Sequence, residues 1–279
     1  MEAIVNYFSH IPSAHRSFFL LGGLTFFMLL EYGLPFYQSQ YNKLKHLGVN
    51  LFFTFTTILI NFLMAFMLLK SSDWAIANGF GILQWLPTLP LALSVLLGLM
   101  LLDFIGAYLV HWTQHKVKWM WRFHLVHHTD PNVDTTTANR HHPVESVFRF
   151  TFTIMAAVIV GAPMYLIMLY QTLSAALSQF NHASFQTPQW LDKAISWVIV
   201  TPRMHRVHHH YVLPYTDSNY GNIFSIWDRL FGTFSAMDNQ KIVFGIDTHP
   251  HANEQGNIGT MLKLPFQAYR QPVGAKFEE

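Results

Sequence analysis

FTFTIMAAVIVGAPMYLIMLYQTLSAALSQF, residues 150–180, carries no charge in 31 residues and has Gly161, Ala162 and Pro163 near its middle. The reading of this stretch decides the fold. A proline inside a helix removes a backbone hydrogen bond and strains the preceding turn, so the run is either one kinked helix or two helices. Histidines lie on both sides of it, His111 to His142 before and His182 to His210 after. A single crossing of a membrane would leave these groups on opposite faces, unable to share a site. Two helices of about 12 to 16 residues, each roughly 18 to 24 Å long, dip in and return both groups to one side. The sequence therefore predicts a re-entrant helical hairpin.

Working outward, three more apolar stretches appear: Phe18 to Tyr37 with one charge at Glu31, Leu47 to Leu69 with none, and Leu91 to Val110 with only Asp103. At about 20 residues each is long enough to cross a bilayer as a helix. The whole chain of 279 residues is 51% hydrophobic and 11% charged, well below the quarter or so of charged residues usual in soluble domains. The expected fold is an all-α integral membrane protein, with three transmembrane helices, the re-entrant hairpin and a cytoplasmic, histidine-rich helical cap. Lys43 and Lys45 lie between the first two spans, and Lys116, Lys118, Arg122, Arg140 and Arg149 flank the histidines, whereas residues 71–90 hold no Lys or Arg. That bias places the histidine face in the cytoplasm. Residues 1–16 do not read as a removable signal peptide, and the absence of cysteine excludes disulfides and thiolate metal sites. A net charge of +2 without a basic run leaves no footprint for nucleic acid. The expectation is a single domain over 1–279: transmembrane helices in 1–110, a first histidine region in 111–149, the hairpin in 150–180, and a second histidine region with a polar cap in 181–279.

Twelve of the 17 histidines fall between His111 and His210, as HWTQH (111–115), HLVHH (124–128), RHHPVE (140–145), NHA (181–183) and HRVHHH (205–210). On a helix, residues three or four apart share a face. His111 with His115, His124 with His127 and His128, and His205 with His208 and His209 each present imidazoles in one direction, as chelation requires. A histidine standing alone is ordinarily a surface or hydrogen-bonded residue, and His10, His15, His46, His249 and His251 are read that way. Clusters beside apolar helices, where ionisable groups are costly, point to metal. A catalytic zinc takes about three protein ligands, which would leave most of these imidazoles unused, whereas eight to ten suit a pair of ions. Imidazole suits zinc, copper, iron and nickel alike, so spacing alone leaves the element open. HExxH is absent, which disfavours zinc-protease chemistry.

The order HxxxH, FHxVHH, RxHPxE, NHA, TPRxHRxHH and NYGxxxxxWDRLFGT, from about Asp103 to Phe234, resembles the fatty acid hydroxylase and sterol desaturase superfamily. The resemblance implies a non-haem di-iron centre that uses dioxygen as co-substrate and electrons from a separate donor protein to hydroxylate or desaturate a lipid, sterol, fatty acyl or related. By position it implies the metal ligands His111, His115, His124, His127, His128, His182, His205, His208 and His209, with His142 a further ligand or a partner of one. His141 and His210 are extra neighbours.

Metal-bound imidazoles usually donate their second N–H to a carboxylate or carbonyl. Glu145, Asp130, Asp217 and Asp228 are candidates for that role, and Glu145 and Asp228, which fall within the family-like motifs, are the two assigned to the catalytic site. Asp103 is a further candidate, and Glu31 is read as an interfacial carboxylate closing the first span. Trp119, Trp121, Phe123 and Phe180 are candidates for lining an apolar substrate channel. Trp112 stands where many relatives carry arginine. No attached cytochrome b5, ferredoxin or flavin domain is evident, nor a GxGxxG fingerprint, so the reducing power is expected from a partner. The alternatives weighed are a zinc-dependent membrane hydrolase using the same histidines and, below it, a metal transporter or bis-histidine haem protein.

Overall fold

A computed structural model describes residues 1–37 and 41–273, and every regular element among the described residues is helical. Helices α1 (Glu2–Ser9), α2 (Ser13–Gly33) and α3 (Lys43–Ala77) are followed by the single turn α4 (Ile82–Trp85). One long helix then runs through α5 (Leu91–Asp103), a π-helical segment (Phe104–Leu109) and α6 (Val110–Lys116). After α7 (Lys118–His128) come the paired helices α8 (Pro143–Val160) and α9 (Met164–His182), then the short helices α10 (Gln189–Ile195), α11 (Pro202–His208), α12 (Ile226–Leu230), α13 (Ala252–Gly256) and α14 (Ile258–Lys263).

Three helices are long and apolar enough to cross a membrane: Lys43–Trp85, Leu91–Lys116 and Pro143–Val160. By length and composition the chain is an integral membrane protein. The number matches the sequence reading, but the membership differs. Helix α2, which holds most of the Phe18 to Tyr37 stretch, reaches the threshold only together with α1. Helix α8 qualifies by itself because it starts seven residues before Phe150. His142 caps it by accepting the Val144 N–H at 3.2 Å, and Pro143 occupies the first turn, where its missing N–H costs nothing. The paired helices are thus 18 and 19 residues long, longer than the 12 to 16 expected. At 35 residues α3 is about 50 Å long and outruns the hydrocarbon at its ends.

Between α8 and α9 the chain turns where Gly161 and Pro163 had marked a break. Gly161 ends α8 in the left-handed region at φ 66°, and Pro163 precedes the first turn of α9. The turn is clamped from outside: Ser72 donates to Ala162 O at 2.8 Å and Gln84 to Gly161 O at 2.9 Å. Backbone meets backbone there, since a Cβ on Gly81 would stand 2.3 Å from Gly161 N. The apolar core lies among α3, α5, α8 and α9, with Leu102, Ile105, Ala156, Ala157, Val160, Leu166, Ile167 and Tyr170 buried together.

At the other end of these helices the polar segments pack. Buried Asp103, at the start of the π-helical segment, accepts the Ile223 and Phe224 N–H groups at 3.2 and 3.1 Å and Trp227 Nε1–H at 3.0 Å. It therefore anchors the 220–228 loop to the membrane helix. Glu31, read as an interfacial carboxylate, instead accepts the Thr135 and Ser184 N–H groups at 2.8 and 2.7 Å and ties α2 to both histidine regions.

Candidate metal centre

Nine histidines are brought together, all buried, in two groups whose candidate ligand nitrogens lie within 4.8 Å of one another. His111, His115, His124, His128 and His208 form one; His127, His182, His205 and His209 form the other. The groups abut: ring centroids of His128 and His209 are 4.9 Å apart, those of His205 and His208 5.1 Å, and those of His124 and His127 5.3 Å. Each HxxHH box is divided between them. His124 and His128, four residues apart, serve the first group and His127 the second; in the later box His205 and His209 serve the second and His208 the first. One turn of helix carries side chains four apart nearly above one another and the residue three along to one side, so a single box feeds two adjacent sites.

Hydrogen bonds fix which nitrogen of several rings is free. A carbonyl only accepts, so His111 Nδ1–H donates to Tyr220 O at 2.9 Å, His182 Nδ1–H to Ser178 O at 2.7 Å and His208 Nδ1–H to Ser218 O at 2.6 Å. His124 Nδ1–H donates to Glu145 Oε1 at 2.7 Å. In the neutral ring the opposite Nε2 then carries a lone pair. Yet His111 Nε2 and His124 Nε2 face each other at 3.2 Å, and His128 Nε2 approaches the same His124 nitrogen at 3.2 Å. In the second group His182 Nε2 is approached by His127 Nε2 at 3.2 Å and His205 Nε2 at 3.0 Å. Lone pairs pointed at one another repel unless a cation lies between them, and three converging imidazole nitrogens have no hydrogen-bonding solution, since each offers one in-plane direction. The donor set fits one metal ion per group.

Burial also keeps these rings unprotonated. His127, His128, His205 and His209 are held well below the ordinary histidine range by burial first and by neighbouring histidines second, and His208 is pushed down to about 3 by burial and by His124. Unprotonated imidazole is the form that binds metal.

The other residues singled out in the sequence have different surroundings. His142 lies in neither group; besides capping α8, its Nε2 faces Leu262 O at 3.4 Å. His141 stands beside the second group, 5.2 Å from the His127 ring and 3.8 Å from Glu145 Oε1. His210 is turned to the backbone, accepting the Val243 N–H at 3.2 Å. Asp228 acts through the loop: it accepts the Tyr220 and Gly221 N–H groups at 2.7 and 2.9 Å and Thr233 Oγ1–H at 2.8 Å, holding the segment whose Tyr220 carbonyl orients His111. Burial raises its carboxyl to about 6 despite those donors. Asp217 Oδ1 lies 3.8 Å from His115 Nδ1 and also takes the Tyr220 hydroxyl, while Lys116 pairs with Oδ2.

Asp130 does not orient a clustered histidine. It binds His46 at 2.9 Å and Thr137 Oγ1–H at 2.7 Å with Arg140 at 3.7 Å, and although burial opposes it, Arg140 and His46 hold its carboxyl below the ordinary range. His46, read as unremarkable, is thus part of the buried brace beneath the first histidine region. Of the four aromatics, Trp121 packs on His115 and His128, with centroids at 4.8 and 5.3 Å; Trp119 and Phe123 lie on Phe148, and Phe180 on Phe27 and Phe185. Tyr220 was not singled out, though it lies within the quoted NYG motif. Its ring sits 5.0 Å from His115 and 5.5 Å from His111.

Residues 95–233 match the family model described as Fatty acid hydroxylase. Over 151 residues, 54% of this chain and 43% of the relative, the sequence is 30% identical to ornithine lipid hydroxylase OlsE of Rhizobium tropici. It is 32% identical over 152 residues to the human alkylglycerol monooxygenase, covering 52% of this chain and 31% of that protein. The cholesterol 25-hydroxylase-like protein of Danio rerio is 29% identical over 136 residues, 48% of this chain and 53% of its own length. The matched region thus spans between about a third and a half of these curated relatives, and no solved structure matches. All nine clustered histidines fall inside residues 95–233, and the chain belongs to the fatty acid hydroxylase superfamily.

Proposed function

We propose that this protein is a membrane lipid hydroxylase with two iron ions held by nine histidines, five on one ion and four on the other. The observation that carries the reading is the convergence of buried, unprotonated imidazole nitrogens in two abutting groups. When bound, an iron pair supplies the activation of dioxygen. The balanced reaction is R–H + O2 + 2 electrons + 2 protons giving R–OH + H2O, with the electrons from a separate donor protein. Hydroxylation is favoured over desaturation because the similar proteins are described as hydroxylases and monooxygenases. Glu145, Tyr220 O, Ser178 O and Ser218 O hold the Nδ1 protons of four rings, which keeps each lone pair aimed inward, and Asp228 keeps Tyr220 O in place. The α8–α9 pair dips into the bilayer from the histidine side, that side faces the cytoplasm, and 1–279 works as one oxygenase domain.

Elemental analysis of protein purified without added metal is expected to find about two iron atoms per chain. With 18O2, one labelled atom is expected in a lipid alcohol. A single zinc retained with full turnover, or label arriving from water, overturns the proposal.

A further inference from the structure

Helix α8, PVESVFRFTFTIMAAVIV, contains two charges, Glu145 and Arg149. Glu145 and Arg149, four residues apart on α8, share one face, with Arg149 one turn, about 6 Å, further toward the apolar interior. Glu145 is committed to His124. Among the described residues the Arg149 guanidinium makes no hydrogen bond and no ion pair within 4 Å, although the Glu145 carboxylate acts on it from one turn away. Three other inward arginines are engaged. Arg140 donates to Val126 O, Asn50 and Thr129, Arg206 to Ala183 O and Phe185 O, and Arg229 to Ser196 O.

Arg149 lines a pocket, partly open to solvent, whose wall also includes His111, His124, His127, His182 and His205. A cation without a hydrogen-bonded partner in an apolar helix is costly; Glu145 one turn away attracts it, but that carboxylate is already bound to His124, and His111, His141 and His182 repel it. A guanidinium offers a planar fork of donors that matches carboxylate and phosphate oxygens. Ser178, on the same wall, has a hydroxyl that makes no hydrogen bond among the described residues. The space beside Arg149 is that of about one water-sized group, enough for an oxyanion's oxygen and not for a lipid chain.

We infer that the lipid substrate carries an oxyanion, carboxylate or phosphate, that pairs with Arg149 in this cavity, and that the oxidised C–H lies within a few bonds of that group. The inference rests on the proposed lipid oxidation for its site of attack, but the binding step is separate and is tested separately.

The experiment uses purified, metal-replete protein in nanodiscs with three probes of matched chain: hexadecanoic acid, hexadecyl phosphate and hexadecanol. Equilibrium binding is measured first, then KM and kcat. Wild type is expected to bind at least one anionic probe roughly 10-fold or more tighter than the alcohol, the scale of a charge-assisted hydrogen-bonded pair. Arg149→Gln is expected to erase that difference, leaving the alcohol within about twofold, and to raise KM far more than it lowers kcat; Arg149→Lys is expected to retain part of the preference. Which anionic probe binds tighter identifies the oxyanion. Equal wild-type binding of acid, phosphate and alcohol overturns the inference, as does loss of bound metal in Arg149→Gln. So does inorganic phosphate competing as well as hexadecyl phosphate, which would make a free anion the ligand. Selective, Arg149-dependent binding without turnover of any lipid would remove the oxygenase reading and leave the anion site standing.

Discussion

His124 and His127 sit on one turn of α7 yet join different groups, so a single substitution in a box bears on both groups through shared walls. His128→Ala and His209→Ala each remove one ring from a site whose parts act as a unit, and each is expected to lower product formation on the order of 100-fold or more with loss of iron. His249→Ala is the comparison: that ring bonds Thr248 Oγ1 at 2.8 Å and belongs to neither group. It is expected to keep most of the activity. Measuring expression, iron and lipid product together decides the assignment, and near-normal turnover with both irons in either box variant refutes it. Acid acts through the same rings. His208, at about 3 in the fold against about 6.5 in an unfolded chain, takes up its proton on unfolding, so stability falls as pH drops from about 6.5 toward 3 and is flat above it. Asp228, raised to about 6, works in the opposite sense between about 4 and 6, but it is one group against several histidines. Iron content and melting temperature measured from pH 7.5 to 4.5 are expected to fall together below about 6.5.

Helix α8 depends at one end on His142 and Pro143 and at the other on Gly161. An added Cβ at Gly161 would meet Phe80 O at 2.5 Å, and the residue is held at φ 66°. Gly161→Ala is expected to cost about 1–3 kcal/mol, from backbone strain and from pushing the 80–81 backbone off the turn. Gly48→Ala, in open space on α3, is expected to be neutral or slightly stabilising. Thermal unfolding in one detergent compares them, and equal melting temperatures would show that the turn is not clamped as described. The π-helical segment is the other local irregularity. It lies between Asp103, which holds the cap, and His111, the first clustered histidine. Gly106 is in it, and a Cβ there would approach Tyr170 Oη at 3.0 Å. Segments of this kind recur at functional sites, and here one ends just before His111, whose ring lies 4.9 Å from that of His124 and 4.5 Å from that of His208.

For the molecule as a whole, α3, α6, α8 and α9 all bring one end to the histidine groups, while the Gly161 turn and the 78–90 loop lie at the opposite end. In a chain without cysteine, introduced thiols report this without background. Lys118→Cys and Gln189→Cys, both exposed at the histidine end, are expected to react with an impermeant reagent from the same face, the cytoplasmic one, and Asn78→Cys from the other. Labelling of residues 118 and 189 from opposite faces would break the shared site. The buried brace of His46, Asp130, Asn50 and Arg140 belongs to this scale as well. It joins the start of α3 to the segment after α7, and Asn50 donates to Thr136 at 2.8 Å across it.

The helical class, two of the three membrane-crossing segments, the break at Gly161–Pro163 and the nine histidines were legible in the chain, because hydropathy, proline and glycine chemistry and i, i+3, i+4 spacing are local properties. The division of those histidines into five and four was not. It depends on where α7 and α11 face each other, which is set by packing between residues some eighty positions apart. Nor was the orienting role of Tyr220, Ser178 and Ser218, since every residue but its side chain offers the same carbonyl. His142 matched a ligand pattern yet caps a helix, and His46 stood alone in sequence yet meets Asp130, 84 residues on. Arg149 looked like one more charge flanking a membrane helix. Only the fold turned it, without a hydrogen-bonded partner, into the pocket beside the histidines, because which face of α8 points inward is decided by the helices packed around it.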